Sequence, residues 1–514
     1  MIDDRLRDGT RQVAAWLHGW IGLILGWLLF AMCLAGTLSV FRPEVGRWAR
    51  PETDAVVAPS LATARAVAWL GKHASAAPAW FLLSPTDRTN TVEATWFDGK
   101  DFVRRAFDPL TGAPVPRDTL GGEFFYRLHF ELQMPYPYGR LLASLAAMAM
   151  LIAIVTGVIA HARIFRDFFT FRPARGQRSW LDAHNALGVL SLPFHAMITL
   201  TGLVTLATVS MPWGIVANYG ADTQRMFAAF TPDTVERPAT ARRLPLTPIA
   251  PLLHDAERRL GGAPLGYVTI QNPGDAAATI TVTRADRGSI ARVTDQLVFD
   301  GTTGRLLTDW REHGRPAVAT YNTLYGLHVV HFAGTLVRWL YAVGGAMLTF
   351  CIATGLVLWV NKRRARAPLS RAEQIVERLN IGVIAGTLIA FEAFFLANRL
   401  IPADAPLRAT TEVAAVFWTW GLAVGAGLLL PPRRGWTLLL SLASAGAIAI
   451  PLAGMLDPAA ALWTTLARGD FAIAGVDITA LATGIALAHA ARTASRSPAP
   501  RPARPRLAEP ALAR

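Results

Sequence analysis

The chain has 514 residues, of which 52% are hydrophobic and only 17% charged. That balance excludes an ordinary soluble domain and points to a polytopic membrane protein with water-exposed insertions. The formal charge of +14 does not mark a nucleic-acid binder, because Arg and Lys cluster beside apolar spans, where they set orientation. Cys33 and Cys351, the two cysteines, both fall in apolar segments, so no disulfide framework or thiolate cluster is available and metal chemistry must rest on histidine.

Residues 1–41 contain the first predicted transmembrane helix, whose apolar run from Trp16 to Phe41 is too long for a signal-peptide core. Further spans at about 138–162, 182–209, 336–360, 380–400, 411–430, 436–455 and 473–491 bring the number to eight. The intervening segments 163–180, 361–378 and 431–436, and the tail after Arg492, are short and strongly basic. The positive-inside rule places them, and both termini, in the cytoplasm, and sends 42–120 and 211–315 to the other side. Residues 121–210 then hold an interfacial helix and spans two and three, 316–362 a second interfacial helix and span four, and 363–492 four additional spans. Residues 493–514 form a Pro/Arg-rich tail that composition predicts to be disordered.

The two outer segments read as small α+β modules. In the first, Leu61 to Lys72 has helical periodicity, and Trp80–Leu83, Thr91–Phe97 and Phe102–Phe107 read as strands. In the second, Pro251 to Leu260 is the helix and Gly266–Gln271, Thr279–Thr283 and Gln296–Phe299 are the strands. Both contain the same turn, FDPLTG (Phe107 to Gly112) and FDGTTG (Phe299 to Gly304). The match extends into the membrane: HGWIG (His18 to Gly22) aligns with HNALG (His184 to Gly188), and Gly36 and Gly202 each lie 18 residues beyond their histidine. RLHF (Arg127 to Phe130) precedes VTG (Val155 to Gly157) as GLHV (Gly326 to Val329) precedes ATG (Ala353 to Gly355). Residues 1–362 therefore read as an internal duplication of a helix–module–helix unit.

Four histidines survive that superposition, His18 with His184 and His129 with His328. Histidine in a membrane span is costly and carries a functional expectation by default. Recurrence at matched depths in both halves suits ligands on a pseudo-twofold axis, with His18 and His184 on the cytoplasmic side and His129 and His328 on the outer side. Gly22 and Gly188 would leave room beside the first pair, and the TG pairs read as close helix packing. His161, His195 and His331 have no counterpart and stand as alternative ligands. His184 and His195 are 11 residues apart, about three turns, so both rings point off one helix face roughly 16 Å apart. An interhelical hydrogen bond for His195 and a water-facing ring for His184 are the competing structural readings. Pro135 and Pro137 break the segment after His129, giving a separate interfacial helix over 121–134. His73, His254 and His313 belong to the outer modules. Glu392 lies inside the fifth span, where a neutral acid, a pair with Arg399 and a part in proton movement are the alternatives and the pairing is the simplest expectation. No phosphate loop, dinucleotide fingerprint or nucleophile elbow is present.

The segments WLHGWIG, RLHFEL, TGVIAHARIFRDFFTFRP, DAHNALGVLSLPFHAMITLTG and GLHVVHFAG with ATGLVLWV resemble the PepSY-associated transmembrane proteins over about residues 10–365. These are bacterial inner-membrane proteins, often iron-regulated, that include ferric-siderophore reductases carrying b-type haem. The resemblance implies PepSY-like modules on the periplasmic side and haem b ligated by membrane histidines, for which the repeat offers His18 with His184 and His129 with His328 as two candidate pairs. It further implies electron transfer from a quinol or cytoplasmic donor to a ferric siderophore or other iron chelate. The competing class is a non-enzymatic membrane protein whose modules bind peptides, proteases or envelope partners.

Overall fold

A computed structural model describes residues 2–161, 177–220, 225, 235, 237–286, 288–311 and 315–496. His313, most of the basic segment 163–180 and the tail lie outside the described residues. The first part of the chain runs α1 (Ile2–Ile24), α2 (Gly26–Ser39), α3 (Arg42–Trp48), α4 (Pro59–His73), then strands β1 (Ala79–Leu83), β2 (Val92–Phe97) and β3 (Phe102–Phe107). It continues through α5 (Glu123–Glu131), α6 (Tyr138–Ala160), α7 (Gln177–Leu190), α8 (Leu192–Thr205), α9 (Ala207–Ser210) and α10 (Trp213–Tyr219). The second α+β segment holds α11 (Ile249–Arg259), β4 (Leu265–Gln271), β5 (Thr279–Arg284), β6 (Gln296–Asp300) and β7 (Leu306–Trp310). Then follow α12 (Pro316–Val329), α13 (Thr335–Arg364), α14 (Arg371–Leu400), α15 (Arg408–Leu429), α16 (Pro432–Gly454), α17 (Leu462–Ala467) and α18 (Phe471–Arg496).

Six of these helices, α6, α13, α14, α15, α16 and α18, are long and apolar enough to cross a membrane. The first and third predicted spans are not straight helices. The pair Gly9–Ile24 and Gly26–Ser39 bends by 67°, and Arg178–Leu190 and Leu192–Thr205 bend by 65°, so the number is eight if each bent pair is one span. Pro193 explains the second break, since it donates no amide hydrogen and its ring clashes with the preceding turn. At the first, Gly26 packs so closely that an added Cβ would lie 2.9 Å from Leu356. The helices turn bulky apolar side chains such as Phe350, Leu422 and Ile485 outward, as a lipid-facing surface requires. This is a multi-pass helical membrane protein.

The two α+β segments are joined edge to edge. Their strands make one antiparallel sheet in the order β3-β2-β1-β4-β5-β6-β7. The junction is the β1–β4 ladder, which pairs Leu82 with Val268 and Phe81 with Thr269. Each segment alone would leave that edge with unpaired backbone groups, and joining them satisfies both. Helices α4 and α11 cover one face, where Ala66, Leu70, Leu253 and Ala256 pack on Trp80, Leu82, Val268 and Ile280. Strand β7, which pairs with β6, has no counterpart in the first segment and was not foreseen. The repeated turns behave as their sequences predict. Asp108 Oδ1 accepts from the Leu110 and Thr111 amides, and Asp300 Oδ1 from those of Thr302 and Thr303. Gly112 and Gly304 close these turns at φ values of 68° and 73°, in the left-handed region. Burial alone would raise the Asp300 pKa, but Arg237 and the threonine donors outweigh it and hold the carboxyl well below the usual range.

The last four long helices are fastened to the first part of the chain. Phe124 stacks on Phe394 at 4.6 Å, and Trp27 donates to Asn380, whose amide donates to the Leu356 carbonyl. The Glu392–Arg399 pairing does not form. Arg399 instead lies 3.6 Å over the Trp48 ring and donates to the Trp48 carbonyl, while Glu392 Oε2 packs beside Gly446 without a hydrogen-bond partner. A second tie is fully buried: Arg408 pairs with Glu412, which also accepts from Asn398 and from Thr119 of the first α+β segment. Removing one member of such a pair strands its partner's charge. Glu412→Ala is expected to destabilise the protein by about 3–5 kcal/mol, and Arg408→Met with Glu412→Leu to recover much of it, read by thermal unfolding in detergent.

Candidate functional site

The four repeated histidines come together as two facing pairs. His18 of α1 meets His184 of α7 with ring centroids 6.3 Å apart and planes at 72°. His129 of α5 meets His328 of α12 at 6.0 Å with planes at 18°. The second pair opens into a cavity of about 1500 Å³ that extends to the strand ends at Leu83, Tyr267 and Thr283. The first pair lies on the far side of the helix bends from the sheet.

All four rings are held in one way. Nδ1 of His18 donates to the Ala153 carbonyl at 2.8 Å and that of His184 to Cys351 at 2.9 Å. Nδ1 of His129 donates to Met32 at 2.8 Å and that of His328 to Ile198 at 3.1 Å. A carbonyl has no proton to give, so each imidazole is the Nδ1–H tautomer with its Nε2 lone pair free. No hydrogen bond reaches any of these Nε2 atoms among the described residues. Each accepting carbonyl lies four residues before a glycine: Gly157, Gly355, Gly36 and Gly202 respectively. A Cβ built on those glycines would stand 3.1, 3.2, 2.7 and 2.8 Å from the respective ring. The TG pairs are thus seats for imidazoles as well as helix contacts, a role their sequence did not disclose. Each half seats its own two histidines, and both pairs form across the halves.

The alternative ligands are placed differently. His195 is buried with Nε2 bonded to Ser191 Oγ at 2.7 Å, so it is a satisfied core histidine. His331 is exposed and lies 3.6 Å from Asp286 at the cavity wall. His161 ends α6 near His18 and His184, but belongs to neither facing pair. Beside the first pair, Gly22 has nothing within 4 Å and Gly188 has only Cys351 Sγ at 3.8 Å, which leaves the space expected there.

Whether these residues fit a haem is decided by the donor set and spacing. Among the described residues no group of three or more His, Cys, Asp or Glu could hold a metal ion, and each pair offers two imidazoles. A metal–imidazole bond of about 2.0 Å and a ring radius of about 1.1 Å put two axial imidazole centroids about 6.2 Å apart. The observed 6.3 and 6.0 Å match that span. The Nδ1–H bond to a carbonyl is the outer-shell contact that metal-bound histidines need. In donor type and centroid spacing each pair would suit a haem held by both of its imidazoles.

Sequence reasoning missed a tyrosine–arginine layer above the second pair. Tyr126 and Tyr325 each stand three residues before their histidine, and the cavity lines up against both. Arg42 lies 4.6 Å over Tyr126, and Arg292 lies 5.3 Å over Tyr325. The signal is legible as YRLH and YGLH, with a tyrosine immediately ahead of the repeated RLHF and GLHV segments.

A multi-pass helical protein with a sheet-bearing head and two cross-half histidine pairs is the class that fold and site define. The chain belongs to the PepSY-associated TM region family, whose profile matches residues 15–362. That range holds all four paired histidines and ends where the four additional helices begin. The chain is also 28% identical over 405 residues to an uncharacterized protein of Pseudomonas aeruginosa, an alignment covering 75% of this chain and 98% of that protein.

The seats can be tested directly. Gly36→Ala and Gly202→Ala should each cut the haem retained by purified protein, whereas Gly421→Ala in α15, where an added Cβ meets nothing within 4 Å, should leave it within error, as measured by the pyridine haemochromogen spectrum.

Proposed function

We propose that this protein is a bacterial inner-membrane b-type haem protein that moves electrons across the membrane to reduce a periplasmic ferric siderophore or other iron chelate. The observation that carries the reading is the fourfold recurrence of one setting, an imidazole fixed through Nδ1 and seated on a glycine, in two pairs at the spacing axial ligation needs. Bound haem would supply a one-electron carrier at each pair. The chain's own part is to hold the imidazoles in one tautomer, surround them with apolar helices, and place the second pair at the floor of a cavity wide enough for a chelate. A large hydrophilic chelate cannot enter the hydrocarbon core, so its electron must be delivered at a water-accessible edge. One electron converts each ferric centre to ferrous, and a quinol or cytoplasmic donor is oxidised in balance. In this reading the two halves are a duplication, the α+β segments are PepSY-like modules facing the periplasm, and both termini are cytoplasmic.

Orientation is tested by reporter fusions: Gly99 and Gly274 should score periplasmic and Arg364 cytoplasmic, and the reverse pattern refutes the topology. Function is tested in proteoliposomes charged with dithionite, trapping iron(II) after adding a ferric siderophore outside. The His129→Ala, His328→Ala double variant should lose more than about 90% of the wild-type rate, since the pair would then offer no imidazole to hold a haem. Purified protein with no Soret band would favour the non-enzymatic class instead.

A further inference from the structure

The cavity above His129 and His328 is lined by seven arginines and no lysine, against Glu93, Glu123 and Asp286. Four of these arginines have a nearby carboxylate: Arg42 with Glu123, Arg47 with Asp470, Arg88 with Glu44 and Arg140 with Glu131. Three do not have a close one. Arg50 is 9% exposed, donates through Nη2 to the Thr119 carbonyl, and makes no ion pair among the described residues, while its Nε has no partner. Arg284 reaches Asp295 only at 3.8 Å and also leaves Nε unpartnered. Arg292 is 4.0 Å from Asp286, which His331 shares. A buried guanidinium short of acceptors, with two more across the same half-enclosed space, creates a positive potential that favours an anion. Four tyrosines, Tyr126, Tyr267, Tyr321 and Tyr325, also line the cavity, beside neutral hydroxyl and amide side chains such as Thr91 and Asn322. Guanidinium planes and phenol rings together make stacking surfaces for flat aromatic groups as well as donors for oxygen anions.

We infer that the cavity selects anionic iron chelates whose donors are aryl oxygens, phenolate or catecholate, over neutral hydroxamate chelates. The inference rests on the proposed reduction for its iron, but recognition is separable from electron transfer. Gallium(III) matches ferric iron in size and coordination and is not reduced under these conditions. Equilibrium dialysis of the full-length protein in detergent would compare three hexadentate gallium complexes. Two are monoanions, one of a bis(phenolate) diamine dicarboxylate and one of EDTA, and the third is a neutral trihydroxamate complex. The bis(phenolate) complex should bind tightest, the EDTA complex next and the trihydroxamate weakest, with both anions weakened by added salt. Arg292→Gln should weaken the bis(phenolate) complex roughly tenfold and leave the trihydroxamate within about twofold, as loss of a charge-assisted contact predicts. Arg50→Gln should act in the same direction, and the half-exposed Arg292 keeps the test decisive if Arg50→Gln does not fold. Equal binding of the neutral complex would overturn the inference, and equal binding of the EDTA complex would overturn its aryl part. Gallium selectivity without ferric reduction would instead count against the proposed function alone, and reduction without charge preference against this inference alone.

Discussion

The membrane part of this protein depends on one contact used four times, an imidazole Nδ1–H given to a helix carbonyl over a glycine. Carbonyls inside a helix are already engaged with the amide four residues on, but each keeps a second lone pair. A side chain can reach it only if the neighbouring residue has no Cβ in the way. Glycine costs a helix roughly 1 kcal/mol relative to alanine, and here that cost secures a fixed ring direction and tautomer. Neither is obtainable from apolar packing alone, which is non-directional. The two histidine positions are therefore set by two partners each, a donor helix and a seat helix, so their geometry depends on how four helices stand rather than on one rotamer.

The sheet adds a second constraint. Because β1 pairs with β4, the two halves are joined by backbone hydrogen bonds above the membrane as well as by side chains within it. Arg104 ties the head to the interfacial layer through Glu93 and Glu123, and Arg88 reaches both Glu44 and the Val40 carbonyl at the end of α2. The cavity floor and its roof are thus parts of one framework.

Much of this was legible in the sequence. Six of the seven strands, both helices of the α+β segments, the break after His129 and the pairing of four histidines followed from periodicity, turn chemistry and the repeat. What was hidden has a common cause: it depends on which surfaces meet. Both β1 and β4 look like half-buried strands, and nothing in AWFLL or LGYVTIQ says that each has the other as its neighbour. His195 has the depth of a ligand but sits one turn after Ser191, whose hydroxyl occupies its ring nitrogen. Arg399 is one helical stretch from Glu392 yet is drawn to the face of Trp48, far away in sequence. The glycines were noticed, but as small residues, because a sequence does not say what fills the space a missing Cβ leaves.

The four additional helices break the symmetry that the histidines keep. Their buried aromatic face packs on α2, α3 and α5, through residues such as Ala35, Trp48 and Phe125, all from the first half. Among the described residues the corresponding flank of the second half carries no such cover, and Leu181, Leu190 and Leu200 of α7 and α8 are exposed. A lipid-soluble molecule travelling in the plane of the bilayer consequently meets two unlike sides, one walled and one bare. Lateral access to the histidine pairs is handed, even though each pair takes one histidine from each half.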